Sequence, residues 1–296
     1  MTRFDTIVMV DWSAAATPKT GADSIWVAIS RPGDRVPKLF NPPARAALFP
    51  TLVSLLAEEI AAGRRVLAGF DFALAYPQGF AKALGLDGPP WSAIWALLAR
   101  AIQDGPENQN NRFSVAAALN RRIGAAPGPF WSCPPKAAGP DLTTTRPPWN
   151  PAWGVTETRL AEKLGKAHSP WKLYTTGSVG GQSLMGIPFL YRLRHDPALA
   201  AHCRVWPFET GLTVPEAPLV LTEIFPSLLP IPADRPDLGP AGAVKDARQV
   251  AALCDWVRGT DLTPYFTLPG LATAERIRVT QEEGWILGVL SERATD

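Results

Sequence analysis

The chain of 296 residues is poor in the residues that build several familiar kinds of site. It has only three cysteines, Cys133, Cys203 and Cys254, far apart and without paired ligand spacing. That excludes a disulfide framework and a cysteine-based zinc site, and it points to a reducing, cytoplasmic setting. It has only three histidines, His168, His195 and His202, with no HxH or HExxH spacing. No GxSxG elbow accompanies them, so a hydrolase triad and a histidine metal site are poor readings. No apolar run reaches the roughly 18 residues of a membrane span. The opening MTRFDTIVMVDWS meets an acidic residue before any long apolar stretch and lacks the form of a secretory signal.

What is present is a chain long enough for one large core, 46% hydrophobic and only 19% charged. The net charge is +2, unevenly spread. From Pro77 to Val205 there are 14 Lys and Arg against 7 Asp and Glu, so a basic middle lies between acidic flanks. A basic surface of this kind attracts phosphates, although uneven surface chemistry alone gives the same imbalance.

The pattern predicts an α/β fold. TIVMVD (6–11), SIWVAIS (24–30) and KLF (38–40) read as a three-strand meander, with a turn cluster at Arg31–Asp34. Residues 44–63 carry Phe49, Leu52, Val53, Leu56 and Ile60 at helical spacing, with Glu58 and Glu59 on the opposite side. RVLAGFD (65–71) is a buried-type strand. From about residue 78 to 175 proline, glycine and tryptophan are dense, as in GPPW, GPFWSCPP and RPPWNPAW, with short helices over 91–102 and 114–123. This stretch reads as an insertion packed on a single domain rather than a disordered linker. A helix is expected over 186–201 with Pro188 in its first turn, then strands over 203–208 and 219–225, an amphipathic helix over 244–258, and a last strand or helix over 285–290.

Chemistry is suggested by carboxylates at strand ends. Asp11 and Asp71 each close an apolar strand, and parallel neighbouring strands would bring both to one sheet edge. Glu223 lies near the end of a third strand, and Asp246 in the first turn of the late helix. Converging carboxylates are hard-oxygen ligands that suit Mg²⁺ or Mn²⁺, and such ions activate water in phosphodiester hydrolysis. Each residue also has a structural reading. Asp11 would cap the Ser13–Ala16 turn, Asp71 would cap the chain before Pro77, and Asp246 would complement a helix dipole.

TTGSVGGQSLMG (175–186) is Gly- and Ser-rich ahead of a helix and matches neither the P-loop nor the dinucleotide fingerprint. Its backbone N–H groups suit an anion. Ser178 and Gln182 are its substrate-contact candidates, together with Trp12, Ser13, Arg112 and Lys245. The solvated reading of Lys245 and of Arg121–Arg122 stands beside this. Trp91, Trp131, Trp149 and Trp153 suit base stacking or, more simply, packing of an irregular core.

Several of these segments together resemble one family. VDWSAA (10–15), GFDFALAYP (69–77), RVWPFETG (204–211), EIFPS (223–227), VKDARQVAAL (244–253) and EEGWI (282–286) look like motifs of a widespread uncharacterised family of predicted nucleases. That family is described as RNase H-like and similar to Holliday-junction resolvases. The resemblance spans most of the chain and is weakest over roughly 84–170. It implies an RNase H-like mixed sheet, a three-strand antiparallel meander plus parallel strands, flanked by helices and carrying the Pro/Trp-rich insertion. It implies Asp11, Asp71 and Asp246 as metal-binding acids, with Glu223 or Glu209 as a further ligand or base, and Mg²⁺ or Mn²⁺ as the ion. The partner would be nucleic acid or a phosphorylated small molecule, with no membrane. Two departures matter. Trp12 directly follows Asp11, which suggests the wall of a small pocket, and the insertion is longer than a minimal nuclease needs. The alternatives are a phosphotransferase or nucleotide hydrolase of the sugar-kinase and actin type, and a non-catalytic binding protein on the same fold.

Overall fold

The computed structural model describes residues 4–291. β1 (Thr6–Asp11), β2 (Trp26–Ser30) and β3 (Lys38–Phe40) form the antiparallel meander. α1 (Arg45–Ala61) then leads to β4 (Val66–Phe70), which lies parallel beside β1. The insertion supplies α2 (Phe80–Ala83), α3 (Pro90–Ala101), α4 (Arg112–Ile123) and α5 (Leu160–Gly165). After it come α6 (Gly180–Arg194), β5 (Cys203–Val205), β6 (Leu219–Ile224), α7 (Lys245–Gly259) and the two-residue β7 (Ile286–Leu287). The sheet runs β3-β2-β1-β4-β6-β5, and β7 joins β6 beyond the end of β5. Every strand from β4 onward is parallel to β1 through this chain of pairings.

Alternate residues of a strand face opposite sides of the sheet. Val8, Val10, Val66, Ala68 and Phe70 therefore share one core with Leu48, Leu52 and Leu56 of α1 and Leu184, Ile187 and Leu190 of α6. Ile7, Met9, Leu67 and Val220 share the other with Ala247, Val250, Leu253 and Cys254 of α7. The result is a sheet covered on both faces, as its largely parallel strands and near-continuous apolar sequences require. Gly69 is needed where these layers meet. A β-carbon there would stand 2.7 Å from both Ile224 Cγ2 and Met9 Sδ.

The insertion belongs to the first core. Phe80, Phe130, Trp153 and Trp171 are buried in it beside Tyr76. Phe130 meets Trp171 edge-on at 5.0 Å, and Trp153 Nε1 donates to the Ala125 carbonyl. Trp91 lies parallel to Phe208 at 4.8 Å and Trp149 meets Trp153 edge-on, so packing accounts for these rings. Among the described residues no helix is long and apolar enough to cross a membrane.

Three expectations need correction. The buried stripe of α1 is Arg45, Leu48, Leu52, Leu56 and Glu59, so Glu59 turns inward. It is buried because it has partners: Arg31 and Arg64 pair with it at 2.7 and 2.5 Å, and Thr6 donates its hydroxyl. Those bonds hold Glu59 well below the ordinary carboxylate range, at about 2, against the opposing effect of burial. The helix expected to begin at Gly186 begins at Gly180, which puts Pro188 in its interior rather than in its first turn. The Gly-rich segment is thus itself helical from Gly180 onward. Gly180 and Gly181 are where this helix meets backbone. Added β-carbons would lie 2.2 Å from the Pro170 carbonyl and 2.5 Å from the Leu173 carbonyl. Finally, the strand expected over 203–208 stops at Val205, although Trp206 N still donates to Leu221 O at 3.0 Å.

Candidate active site

Parallel pairing sets Val10 opposite Phe70, so the next residues, Asp11 and Asp71, fall side by side at the carboxyl edge of the sheet. By strand alternation both point to the face covered by α7. Their carboxyls hydrogen-bond each other. Burial, offset in part by the bond to Asp71, pushes Asp11 up from 3.8 to about 7. Asp71 is raised well above its ordinary range by burial and by the charge of Asp11. Two carboxyls this close resist ionising together, so the pair takes up a proton far more readily than an ordinary carboxylate. Asp11 does not cap the turn after β1. Asp71 reaches across instead, and its Oδ1 accepts the Trp12 N–H at 2.6 Å.

Asp246 arrives from the first turn of α7. Its Oδ2 accepts the Asp23 N–H at 2.6 Å, tying the helix start to the β1–β2 loop. Burial raises its pKa, and its charge raises those of Asp11 and Asp71 in turn. Lys245, exposed beside it, acts in the opposite sense on both Asp11 and Asp246. Asp11 and Asp246 line a cavity of about 420 Å³ with Ser13, Arg112, Ser178 and Gln182. A larger cavity of about 830 Å³ shares Ser178, Gln182, Tyr174 and Asp23 with it and extends to Asp71 and Glu223. The two together form a cleft at the carboxyl edge of the strands, between the N-termini of α6 and α7. This is the usual place for a ligand in an open α/β sheet.

The floor of the cleft is held rigidly by residues that carry no strand-end signal. Arg45 is fully buried; it pairs with both oxygens of Asp104 at 2.7 Å and donates to the carbonyls of Ser13 and Ala15 at 2.9 Å. Gln182 Nε2 donates to the Trp12 carbonyl at 2.5 Å. Sequence reasoning missed Arg45. Its one local signal is an arginine in the first helical turn, where a cation opposes the helix dipole and needs another reason to be there.

Two expected site residues have other occupations. Glu223 pairs with Phe70, one step short of the row of Asp11 and Asp71, and strand alternation turns it to the opposite face. There Arg159 holds both its oxygens at 2.6 and 2.7 Å, and Leu74 N donates to it at 3.0 Å. A carboxylate so engaged is a structural anchor, not a free ligand or base. Glu209, the other possibility, pairs with Arg194 at 2.7 Å and accepts the Val205 N–H, away from the cleft. Trp12 is corrected in part. It lines the 420 Å³ cavity beside Asp11 and Ser13, but it is only 1% exposed and its ring packs against Phe72 and Phe189 at 5.5 and 4.8 Å, so most of the indole belongs to the core behind that wall.

The three-acid metal site is not formed as such. Among the described residues no group of three or more His, Cys, Asp or Glu side chains is arranged to hold a metal ion. The set that fits an ion is smaller: the paired Asp11 and Asp71, whose mutual repulsion a cation would relieve. Mg²⁺ is commonly held by one or two carboxylates, with water and substrate phosphate completing the shell. Compared with protein-family models, curated proteins and solved structures, the chain matches none.

Proposed function

We propose that this chain is a divalent-metal-dependent phosphodiesterase, acting as a nuclease on an RNase H-like sheet. The observation that carries the reading is the Asp11–Asp71 pair: two carboxyls in direct contact at the carboxyl edge of adjacent parallel strands, raised by burial and by each other. The β3-β2-β1 meander continued by parallel β4 and β6 supports the RNase H-like assignment, with β5 and β7 as additions at the far edge. The motif resemblance supports it too.

In this reading Asp11 and Asp71 hold Mg²⁺ or Mn²⁺, with Asp246 adding negative charge from α7. Bound there, the ion supplies positive charge for an attacking water and a leaving oxygen. Asp71 keeps one oxygen on the Trp12 N–H, which fixes the carboxylate plane and leaves the second oxygen for the site. Asp246 keeps the β1–β2 loop closed through Asp23, and Arg45 holds the Ser13–Ala15 backbone beside it. Lys245 lines neither cavity; exposed beside Asp246, it acts to lower the pKa values of Asp11 and Asp246 and would contribute positive charge near the site. Labelled single-stranded, duplex and branched nucleic acids, incubated with Mg²⁺ and with Mn²⁺, test the reading. Cleavage by the wild type that falls at least a hundredfold in Asp11→Asn is the expected result. Equal cleavage by the two proteins, or no cleavage of any substrate with either metal, removes it.

A further inference from the structure

The cleft holds a cationic element that stands apart from its acids. Arg112, at the start of α4, is 8% exposed, yet among the described residues no carboxylate pairs with it. Its Nη1 donates to Asn110 Oδ1 at 2.7 Å, its guanidinium lies over the Phe113 ring at 4.4 Å, and its Nε has no partner. Its charged neighbour is a second guanidinium, that of Arg45, which Asp104 already neutralises. Burial lowers Arg112 to about 10, so it is still charged at neutral pH. A buried cation without a counter-ion is costly unless something in solution supplies one.

The same wall of the cavity carries the N-terminus of α6, a helix of 15 residues with no side-chain cap. Gly180 N is bonded to the Lys172 carbonyl and Ser183 N to the Val179 carbonyl. Between them the N–H groups of Gly181 and Gln182 have no partner among the described residues. Both residues line the cavity, and a β-carbon at Gly181 would stand 3.5 Å from Arg112 Nε. The bare helix end and the unanswered guanidinium are therefore adjacent. Ser178, whose hydroxyl is likewise unbonded among the described residues, sits at the rim of both cavities.

We propose that Arg112, the N-terminus of α6 and Ser178 form a seat for a substrate phosphate distinct from the one undergoing reaction at Asp11 and Asp71. Free N–H groups at a helix start and a planar guanidinium are the two elements that recognise phosphate best. The seat rests on reading the cleft as the substrate site of the phosphodiesterase proposed above, and it deepens that reading. The bound molecule then carries at least two phosphates: one on the carboxylate pair and one held in place by Arg112. Tyr174, 42% exposed at the junction of the two cavities, lies at the opening of the same seat.

The test is phosphate binding to the full chain, measured by calorimetry without divalent metal. The probes are inorganic phosphate, a 5′-phosphorylated tetrathymidylate and its unphosphorylated twin. Wild type binds inorganic phosphate, and Arg112→Gln weakens it tenfold or more. Because Arg112 is buried, Ser178→Asp is the companion variant. Its carboxylate favours the helix terminus and so spares the fold, but it fills the seat with like charge and abolishes binding. Asp11→Asn binds phosphate at least as well as wild type, since it removes a negative charge from the cavity. Preference for the phosphorylated oligonucleotide assigns the seat to a strand-end phosphate. Equal affinity for the twins, lost in Ser178→Asp, assigns it to an internal one. Wild type that binds no phosphate at millimolar concentration, or Ser178→Asp that binds it as well as wild type, overturns the proposal. Failure of the nuclease reading shows instead as absent cleavage with this binding intact.

Discussion

Replacing Asp11 by Asn keeps the shape of the side chain and removes one ionisable group from the pair. In the folded protein Asp11 titrates near 7 instead of 3.8. A raised carboxyl binds its proton more tightly in the folded than in the unfolded chain. Its contribution to stability is therefore complete below about pH 4 and is lost as pH rises through 7. A difference of about three pH units, at roughly 1.36 kcal/mol each, bounds the loss at about 4 kcal/mol by pH 8, and solvent screening of a partly exposed group reduces it. Asp11→Asn has no such titration, and its amide donates to Asp71, whose pKa falls once the Asp11 charge is gone. The expected outcome is that Asp11→Asn matches wild type near pH 4 and exceeds it by about 1–4 kcal/mol at pH 8. Urea unfolding of both proteins across this range, without divalent metal, measures it. Parallel pH profiles would refute the shared-proton account. So would a variant destabilised at every pH, since that is the signature of a lost structural cap.

Mg²⁺ or Mn²⁺ should replace the shared proton, so wild-type metal affinity rises with pH through about 7 and is lost in Asp11→Asn; calorimetry at pH 6 and 8 checks this. Glu223→Gln should cost about 3–5 kcal/mol in urea unfolding, because it leaves the buried Arg159 charge without its bidentate partner. Unchanged stability with lost cleavage would instead return Glu223 to the chemistry. Gly69→Ala should cost about 1–3 kcal/mol through contact with Ile224 and Met9, with little change in the pH profile set by the Asp11–Asp71 pair. Arg112→Gln should leave single-turnover cleavage of a saturating substrate less affected than KM, because it positions a phosphate away from the reacting one.

The sheet was readable because its strands are short apolar runs bounded by turn residues, and Asp11 and Asp71 were readable because each directly closes such a run. Glu223 misled for a reason that the same alternation contains. In LVLTEI it shares a face with Leu219 and Leu221, opposite to Val220 and Ile224, and the position in the row of Asp11 and Asp71 is Ile224. The α1 stripe was misjudged because burying Glu59 depends on Arg31 and Arg64, which come from outside the helix. Trp12 does line the smaller cavity, but the depth of its indole in the core was not legible, because its partners, Phe72 and Phe189, are 60 and more residues away in the chain. Long-range partners of this kind leave no trace in local spacing. The Gly-rich stretch was read as a loop ahead of a helix from Gly186, whereas the helix already begins at Gly180. Two of its glycines, Gly180 and Gly181, proved to be demanded by the carbonyls of Pro170 and Leu173, a contact that composition does not register.

Arg159 has a consequence for how this chain can vary. Within one buried side chain it joins Glu162 of the insertion, Glu223 of the sheet and the carbonyl of Glu283 near the C-terminus. Glu283 in turn accepts the N–H groups of Gln78 and Leu160. The start of the insertion, its α5 region and the closing segment are thus fastened at one point beneath β6. The insertion cannot be shortened or exchanged through this point as an independent cassette, because a chain without the arginine would strand the acids at 162 and 223 in the interior. Positions 159, 162, 223 and 283 are expected to change together or not at all, so this one guanidinium ties variation in the Pro/Trp-rich segment to variation in the sheet and in the closing segment.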